Sequence, residues 1–175
     1  MVTEVNKGVG EQLQLRKATA QDFPAIREIA RSSRMMANSH FMTEEEVEEE
    51  VQIYYNDDVL NGVINHPDNA IYVVERGSQL IGHCSVLTKD RRGRPRLLQF
   101  YVRPETQGKG AGTMLFDRAR THLKEAGAGE MYVSTLGDNT LGRNFLEKHG
   151  CRLLQVYDSM WDGKTHTVAF YYLPL

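Results

Sequence analysis

Apolar and polar positions alternate over Leu13-Gln14-Leu15-Arg16-Lys17-Ala18, the two-residue period of a half-buried strand. The period lengthens after Asp22 and Pro24, where Phe23, Ile26, Ile29 and Ala30 recur at helical spacing, and is lost from Ser32 to Phe41. Thr43 with Glu46 forms a capping box ahead of a second helix, whose stripe is Val47, Val51, Tyr54 and Tyr55. Ala70–Glu75 and Gln79–Leu87 read as strands joined by the turn Arg76-Gly77-Ser78, with Leu97–Val102 a further strand. A helix over Thr113–Ala126, with Leu115, Ala119 and Leu123 on one face, stops at Gly127. Glu130–Ser134 is again a strand. A short helix from Asn139 to His149 has Leu141 and Phe145 one turn apart and ends at Gly150. Two closing strands, near Arg152–Met160 and Thr165–Leu173, flank the turn Trp161-Asp162-Gly163-Lys164. The order β-α-α-β-β-β-α-β-α-β-β predicts an α/β (α+β) fold, a mixed central sheet of about seven strands with helices on both faces.

Composition changes this picture little. The chain has 175 residues, is 41% hydrophobic and 25% charged, and carries a net charge of −2, so nothing global draws it to nucleic acid or to an anionic membrane. Residues 1–11, polar and with Gly8 and Gly10, read as a flexible tail without a signal peptide, and residues 12–175 as one domain. No apolar run approaches the ~20 residues that span a bilayer. The two cysteines, Cys84 and Cys151, suggest neither a disulfide framework nor a metal motif, and the six histidines lack a His-Glu-x-x-His pair. A cytoplasmic, metal-free protein is the expectation. The glutamates Glu44–Glu46 and Glu48–Glu50 read as a solvated helix face, with attraction for a cationic substrate as the other reading. Lys89, Arg91, Arg92, Arg94 and Arg96 read as a solvated hairpin tip, too short and too poor in aromatics for a nucleic-acid surface.

The chemistry is concentrated in Gln107-Gly108-Lys109-Gly110-Ala111-Gly112, which lies between a strand and the start of a helix at Thr113. The first turn of a helix has amides without internal partners and the positive end of the dipole, and glycines let the backbone approach an anion closely. A phosphate site is therefore expected. The dinucleotide fingerprint fails in both registers, because Thr113 and Leu115 stand where its last glycine belongs. The P-loop fails because Arg103 occupies its first glycine and Gly110 its Ser/Thr. What fits is Gln/Arg-x-x-Gly-x-Gly/Ala, as Gln107-x-x-Gly110-x-Gly112.

That pattern resembles the acetyl-CoA loop of the GNAT superfamily of N-acetyltransferases. The element order is similar to that fold over residues 12–175. A second segment resembles the family's Asn-x-x-Ala-x-x-x-Tyr-x-x-x-Gly-Phe pattern, with Asn139 and Gly150 matching, Gly142 for alanine, Leu146 for tyrosine and Cys151 for phenylalanine. The resemblance implies an acetyl-CoA-dependent N-acetyltransferase acting on a small-molecule or peptide primary amine by direct attack in a ternary complex. It implies that Gln107, Gly108, Lys109, Gly110, Ala111, Gly112 and Thr113 hold the pyrophosphate. It further implies that the strand edge at Phe100, Tyr101 and Val102 pairs with the pantetheine arm, that Asn139 meets that arm, and that Phe145 packs near the cofactor. The acceptor would enter between Met35, Met36, His40 and Phe41 on one side and Trp161 on the other. A homodimer through the closing strands is common in such folds.

Leu146 cannot protonate the departing thiolate as the family tyrosine does, so the catalytic groups stay open. Tyr101, Glu105 and His83 are the candidates. Tyr101 is expected to point away from the ligand face of its strand, Glu105 to cap or solvate the loop, and His83 to be either a base or a hydrogen-bonded structural residue. Cys84 and Cys151 read as small core residues rather than covalent nucleophiles. The other reading of the chain is a regulatory or catalytically impaired CoA-binding relative.

Overall fold

The computed structural model describes residues 12–38, 42–161 and 163–175; the tail expected over residues 1–11 lies outside them. Strands β1 (Leu13–Lys17), β2 (Ala70–Arg76), β3 (Gln79–Leu87), β4 (Arg96–Val102), β5 (Glu130–Leu136), β6 (Arg152–Trp161) and β7 (Lys164–Pro174) form one sheet in the order β1-β2-β3-β4-β5-β7-β6. Every neighbouring pair is antiparallel except β4–β5, the product of the single crossover through the glycine loop. Five helices accompany the sheet among the described residues: α1 (Phe23–Asn38), α2 (Glu44–Tyr54), α3 (Asp57–Ile64), α4 (Ala111–Glu125) and α5 (Thr140–Lys148).

Strand alternation divides the core in two. Ile71 and Val73 of β2 face Ile26, Ile29, Val47, Val51 and Leu60 of α1, α2 and α3. Tyr72 and Val74 face the opposite way, into Leu115, Phe116, Ala119 and Leu123 of α4 and Leu146 of α5. The mixed, helix-flanked sheet read from the sequence is the fold observed.

Three local expectations are corrected. The break expected from Ser32 does not occur, and α1 runs on to Asn38. The hydroxyls that would compete with a helix are occupied: Ser32 Oγ donates to the Glu28 and Ile29 carbonyls at 3.0 and 3.2 Å, and Ser33 Oγ to the Val102 carbonyl at 3.1 Å. The helix α3 has no counterpart in the sequence reading. Only Leu60 of it is fully buried, so its period is faint, yet Asn56 Oδ1 caps it by accepting from Val59 N at 3.0 Å. In α5 it is Leu146 rather than Leu141 that shares the core side with Phe145; Leu141 is exposed.

Two features open the sheet where a ligand could enter. The β4–β5 pairing consists of Arg96↔Tyr132 and Leu97↔Val133, after which the strands part. Immediately beyond, β4 carries a bulge: His83 pairs with Tyr101 but Ser85 with Leu98, and Gln99 takes a φ of 50°. A bulge bends and twists its strand, and a left-handed non-glycine residue persists only when held. Ser85 Oγ donates to Gln99 Oε1 at 2.7 Å, and Gln99 Nε2 donates to the Tyr54 carbonyl at 2.9 Å.

Candidate functional site

The glycine loop joins the end of β4 to α4 through a short 3-10 turn, Pro104–Thr106. Gly108 and Gly110 have φ of 78° and 93°, a region an L side chain enters only with strain, and Gly110 is the N-cap of α4. A Cβ built on Gly110 would meet nothing within 4 Å, so the space beside the loop is open. Among the described residues, none of the amides from Gly108 to Thr113 has a hydrogen-bond acceptor; the first amide to be taken is Met114 N, by the Gly110 carbonyl at 3.0 Å. A row of free N–H groups at the positive end of a fifteen-residue helix fits a diphosphate.

Beside it lies the parted edge of β4. Arg103 N donates to the Ile81 carbonyl at 2.7 Å, so by alternation the amide and carbonyl of Val102 point to the other edge, toward the gap. The Val102 carbonyl accepts from Ser33 Oγ there, with Gln107 Nε2 at 3.5 Å. The side chains of Phe100 and Val102 turn to the α4 face, and Tyr101 turns to the α1–α2 face. Of Tyr101, only the backbone therefore runs along the parted edge.

The α5 segment closes this half. Asn139 caps the helix, with Oδ1 accepting from Gly142 N at 3.0 Å and Nδ2 donating to Thr135 Oγ1 of β5 at 3.0 Å. A Cβ on Gly142 would stand 2.5 Å from Asn139 Nδ2, so any larger residue here would shift the Asn139 side chain over the helix start. Phe145 packs at 5.3 Å from Phe100 and 5.7 Å from Phe116, and against Gly112. His149, not singled out in the sequence, stacks on Phe145 at 4.0 Å and contacts Thr113. Leu146 is 3% exposed and belongs to the core.

The opposite face gathers polar groups that the sequence reading missed. Arg34 of α1 pairs with Glu50 of α2, which is 2% exposed, and donates to the Tyr101 hydroxyl at 3.0 Å. Glu50 also accepts from Trp161 Nε1 at 3.1 Å, and the indole stacks on His166 of β7 at 3.8 Å. The closing hairpin is thus tied to α2, with Lys164 bonded to Glu46 beside it. Glu50 corrects the expectation of a uniformly solvated glutamate face. His83, fully buried, lies 5.9 Å from the Tyr55 ring and 6.0 Å from the Tyr101 ring, and neither of its nitrogens has a partner. It is not the hydrogen-bonded structural histidine expected. Burial pushes its imidazole down to about 3 and pushes the Tyr55 phenol well up. Arg34 Nε, Tyr55 Oη and His166 Nε2 are likewise buried without partners.

The signal for Arg34 and Glu50 was available. Arg34 falls four residues after Ala30, and Glu50 three after Val47, so both occupy apolar-stripe positions with opposite charge. Of the acceptor residues expected, Met35 is half-buried against the α1–α2 core, Met36 is exposed, and Trp161 reaches Glu50. His40 and Phe41 lie outside the described residues. Glu105 is exposed on its turn.

Elsewhere, Asp90 gathers much of the basic hairpin. Burial alone would raise its pKa, but bonds from the Arg94 and Arg92 backbone and the Arg94 guanidinium hold it well below the usual carboxylate range. Burial pushes the Cys84 and Cys151 thiols up to about 12 and about 11, the wrong direction for nucleophiles. Among the described residues, no cluster of three or more His, Cys, Asp or Glu could hold a metal ion, and no helix is long and apolar enough to cross a membrane.

The sequence matches the model of the family described as Acetyltransferase (GNAT) family over residues 23–151. Among solved structures, PaiA N-acetyltransferase from Thermoplasma acidophilum in complex with coenzyme A is similar at 22% identity and a TM-score of 0.76, covering 94% of this chain and 99% of that one. A GCN5-related N-acetyltransferase from Rhodopseudomonas palustris aligns at 18% identity and a TM-score of 0.75, covering 95% and 98%. YncA of Salmonella typhimurium with its cofactor acetyl-CoA aligns at 18% identity and 0.66, covering 93% of each chain. These likenesses show the fold. No curated protein matches the chain in sequence.

Proposed function

The chain belongs to the acetyltransferase (GNAT) family, and we propose that it transfers the acetyl group of acetyl-CoA to a primary amine of a small molecule or peptide, by direct attack in a ternary complex. The observation that carries this reading is the row of free amides from Gly108 to Thr113 beside the parted β4 edge. Those amides would hold the diphosphate, each charge-assisted bond contributing ~1.5–3 kcal/mol. The Val102 amide, aimed into the gap, would donate to the thioester carbonyl, a bond that strengthens as negative charge develops on oxygen. The Asn139–Thr135 pair would border the pantetheine arm, and Phe145 with Phe100 would wall the α4 side. Bound acetyl-CoA supplies an acetyl group on a thiol leaving group: the C–N bond forms as the C–S bond breaks, and of two protons leaving nitrogen one goes to sulfur and one to solvent.

The acceptor comes from the α1–α2 face. An alkyl amine with pKa ~10.4 arrives as the ammonium, so a group on that face must handle a proton. Tyr101 is our assignment. Arg34 donates to its oxygen, leaving the phenol proton to point elsewhere, and its backbone adjoins Val102. His83, neutral and pushed down to about 3, is too weak a base to hold that proton. Tyr101→Phe should lower kcat by roughly a hundredfold or more with CoA affinity unchanged, read by steady-state kinetics and calorimetry. Equal kcat would remove Tyr101 from the chemistry.

The enclosed Leu146 favours a second reading, a CoA-binding relative without turnover. Thiol release from acetyl-CoA, measured with polyamines, amino acids, aminoglycosides and N-terminal peptides against matched alcohols, separates the two. Release with an amine supports transfer. CoA binding without release by any acceptor supports the regulatory reading, and release with an alcohol alone overturns the amine.

A further inference from the structure

His149 caps the C-terminus of α5 and is held at both nitrogens. Nδ1 lies 2.8 Å from the Phe145 carbonyl, and Nε2 lies 3.2 Å from Thr113 Oγ1 in the first turn of α4. A carbonyl only accepts, so Nδ1 carries the proton of the neutral ring. Nε2 is then an acceptor, and the Thr113 hydroxyl donates to it. The ring is fixed there by stacking on Phe145 and by Phe116 at 5.1 Å.

A threonine hydroxyl has a single proton. A phosphate oxygen seated on the free amides beside Thr113 is another acceptor that can claim it. Once the hydroxyl turns to phosphate, Nε2 and Oγ1 face each other lone pair to lone pair. The contact is restored when Nε2 takes up a proton and donates to Oγ1. We infer that His149 is a positioning residue for the cofactor's diphosphate, acting through Thr113, and that diphosphate binding takes up a proton on its ring. This rests on the reading of the α4 N-terminus as the phosphate site.

The charged groups in the segments around the ring are few. Lys109 lies in the loop, Asp117 one turn further along α4 and paired with Arg120 at 3.7 Å, and Glu147 and Lys148 on α5 itself. Glu147 accepts from the Tyr171 hydroxyl. Neighbouring β4 presents only Phe100 to this cluster, and among the described residues none of these charges bonds to the imidazole. The diphosphate is therefore the dominant new charge when it binds. Uptake of a proton with the diphosphate makes binding tighter at low pH than at high pH.

The test is calorimetric titration with 3′-dephospho-CoA, whose diphosphate does not titrate between about pH 5.5 and 8.5, in buffers of different ionisation enthalpy. Proton uptake on binding is expected, with binding about tenfold weaker at pH 8.5 than at pH 5.5. His149→Phe keeps a stacking ring and should bind with no uptake and a flat pH profile; Thr113→Val should also abolish uptake. Uptake that persists in His149→Phe, or binding by the unaltered protein without uptake, overturns the role of His149 and leaves the phosphate site standing. No binding by the unaltered protein at any pH overturns both. Should His149→Phe fail to fold, the imidazole nitrogen shifts of the unaltered protein decide: they must move toward imidazolium values when ligand is added.

Discussion

On the α4 side of the sheet the cleft is made of backbone: amides of consecutive loop residues, an unpaired strand edge and two glycines at positive φ. On the α1–α2 side it is made of side chains, Arg34, Glu50, Tyr101, Trp161 and His166, drawn from five elements and linked by hydrogen bonds and ring stacking. On the function proposed, the first half would present fixed dipoles toward a ligand whose phosphates are always the same. The second satisfies its charges internally and leaves several polar atoms unpartnered, an arrangement a change of side chain can retune. A transferase with one constant and one variable substrate calls for that division.

The sharpest way to break this contrast is on the side-chain half. Glu50→Ala leaves the Arg34 charge buried and should cost about 3–5 kcal/mol of folding stability, read by denaturant unfolding. Replacing both partners with apolar residues, Arg34→Met with Glu50→Leu, should recover most of that loss. Calorimetry on the double variant should find CoA affinity intact; a loss there would mean the two halves are not independent.

Leu146→Tyr probes the core on the α4 side. A phenol at this enclosed core position should cost ~1–3 kcal/mol by overpacking, with no gain in kcat. A rise in kcat in a folded variant would show that position 146 does reach the gap.

On the backbone half, Gly110→Asp places a side chain at a φ of 93° and a negative charge beside the phosphate site. CoA should bind at least tenfold more weakly, about 1.4 kcal/mol, with the fold retained by circular dichroism. Unchanged affinity would remove the loop from the cofactor site. The smallest effect is expected from Thr43→Ala, which removes the cap of α2 and should cost about 1 kcal/mol in thermal or denaturant unfolding without altering CoA binding.

The sequence by itself determined what is local. The glycine loop is contiguous, so its two positive-φ turns are written in neighbouring residues, and the helix expected from Thr113 begins two residues earlier, at Ala111. The Thr43–Glu46 capping box and the glycines ending α4 and α5 are legible for the same reason. The strand β3, which follows the turn Arg76-Gly77-Ser78, was placed to the residue. Tertiary structure decided the rest. Ser32 and Ser33 read as a break until the Val102 carbonyl, far along the chain, takes one of their hydroxyls and α1 continues to bring Arg34 inward. Glu50 is one of a run of glutamates, and only packing of Val47 and Val51 against the sheet turns it, unlike Glu49, toward Arg34 and Trp161. The gap at β4–β5 arises because two strands cease to pair, a property of neither segment alone. Backbone sites follow from local conformation, which adjacent residues set; side-chain sites follow from which faces meet, which is settled only when the core closes.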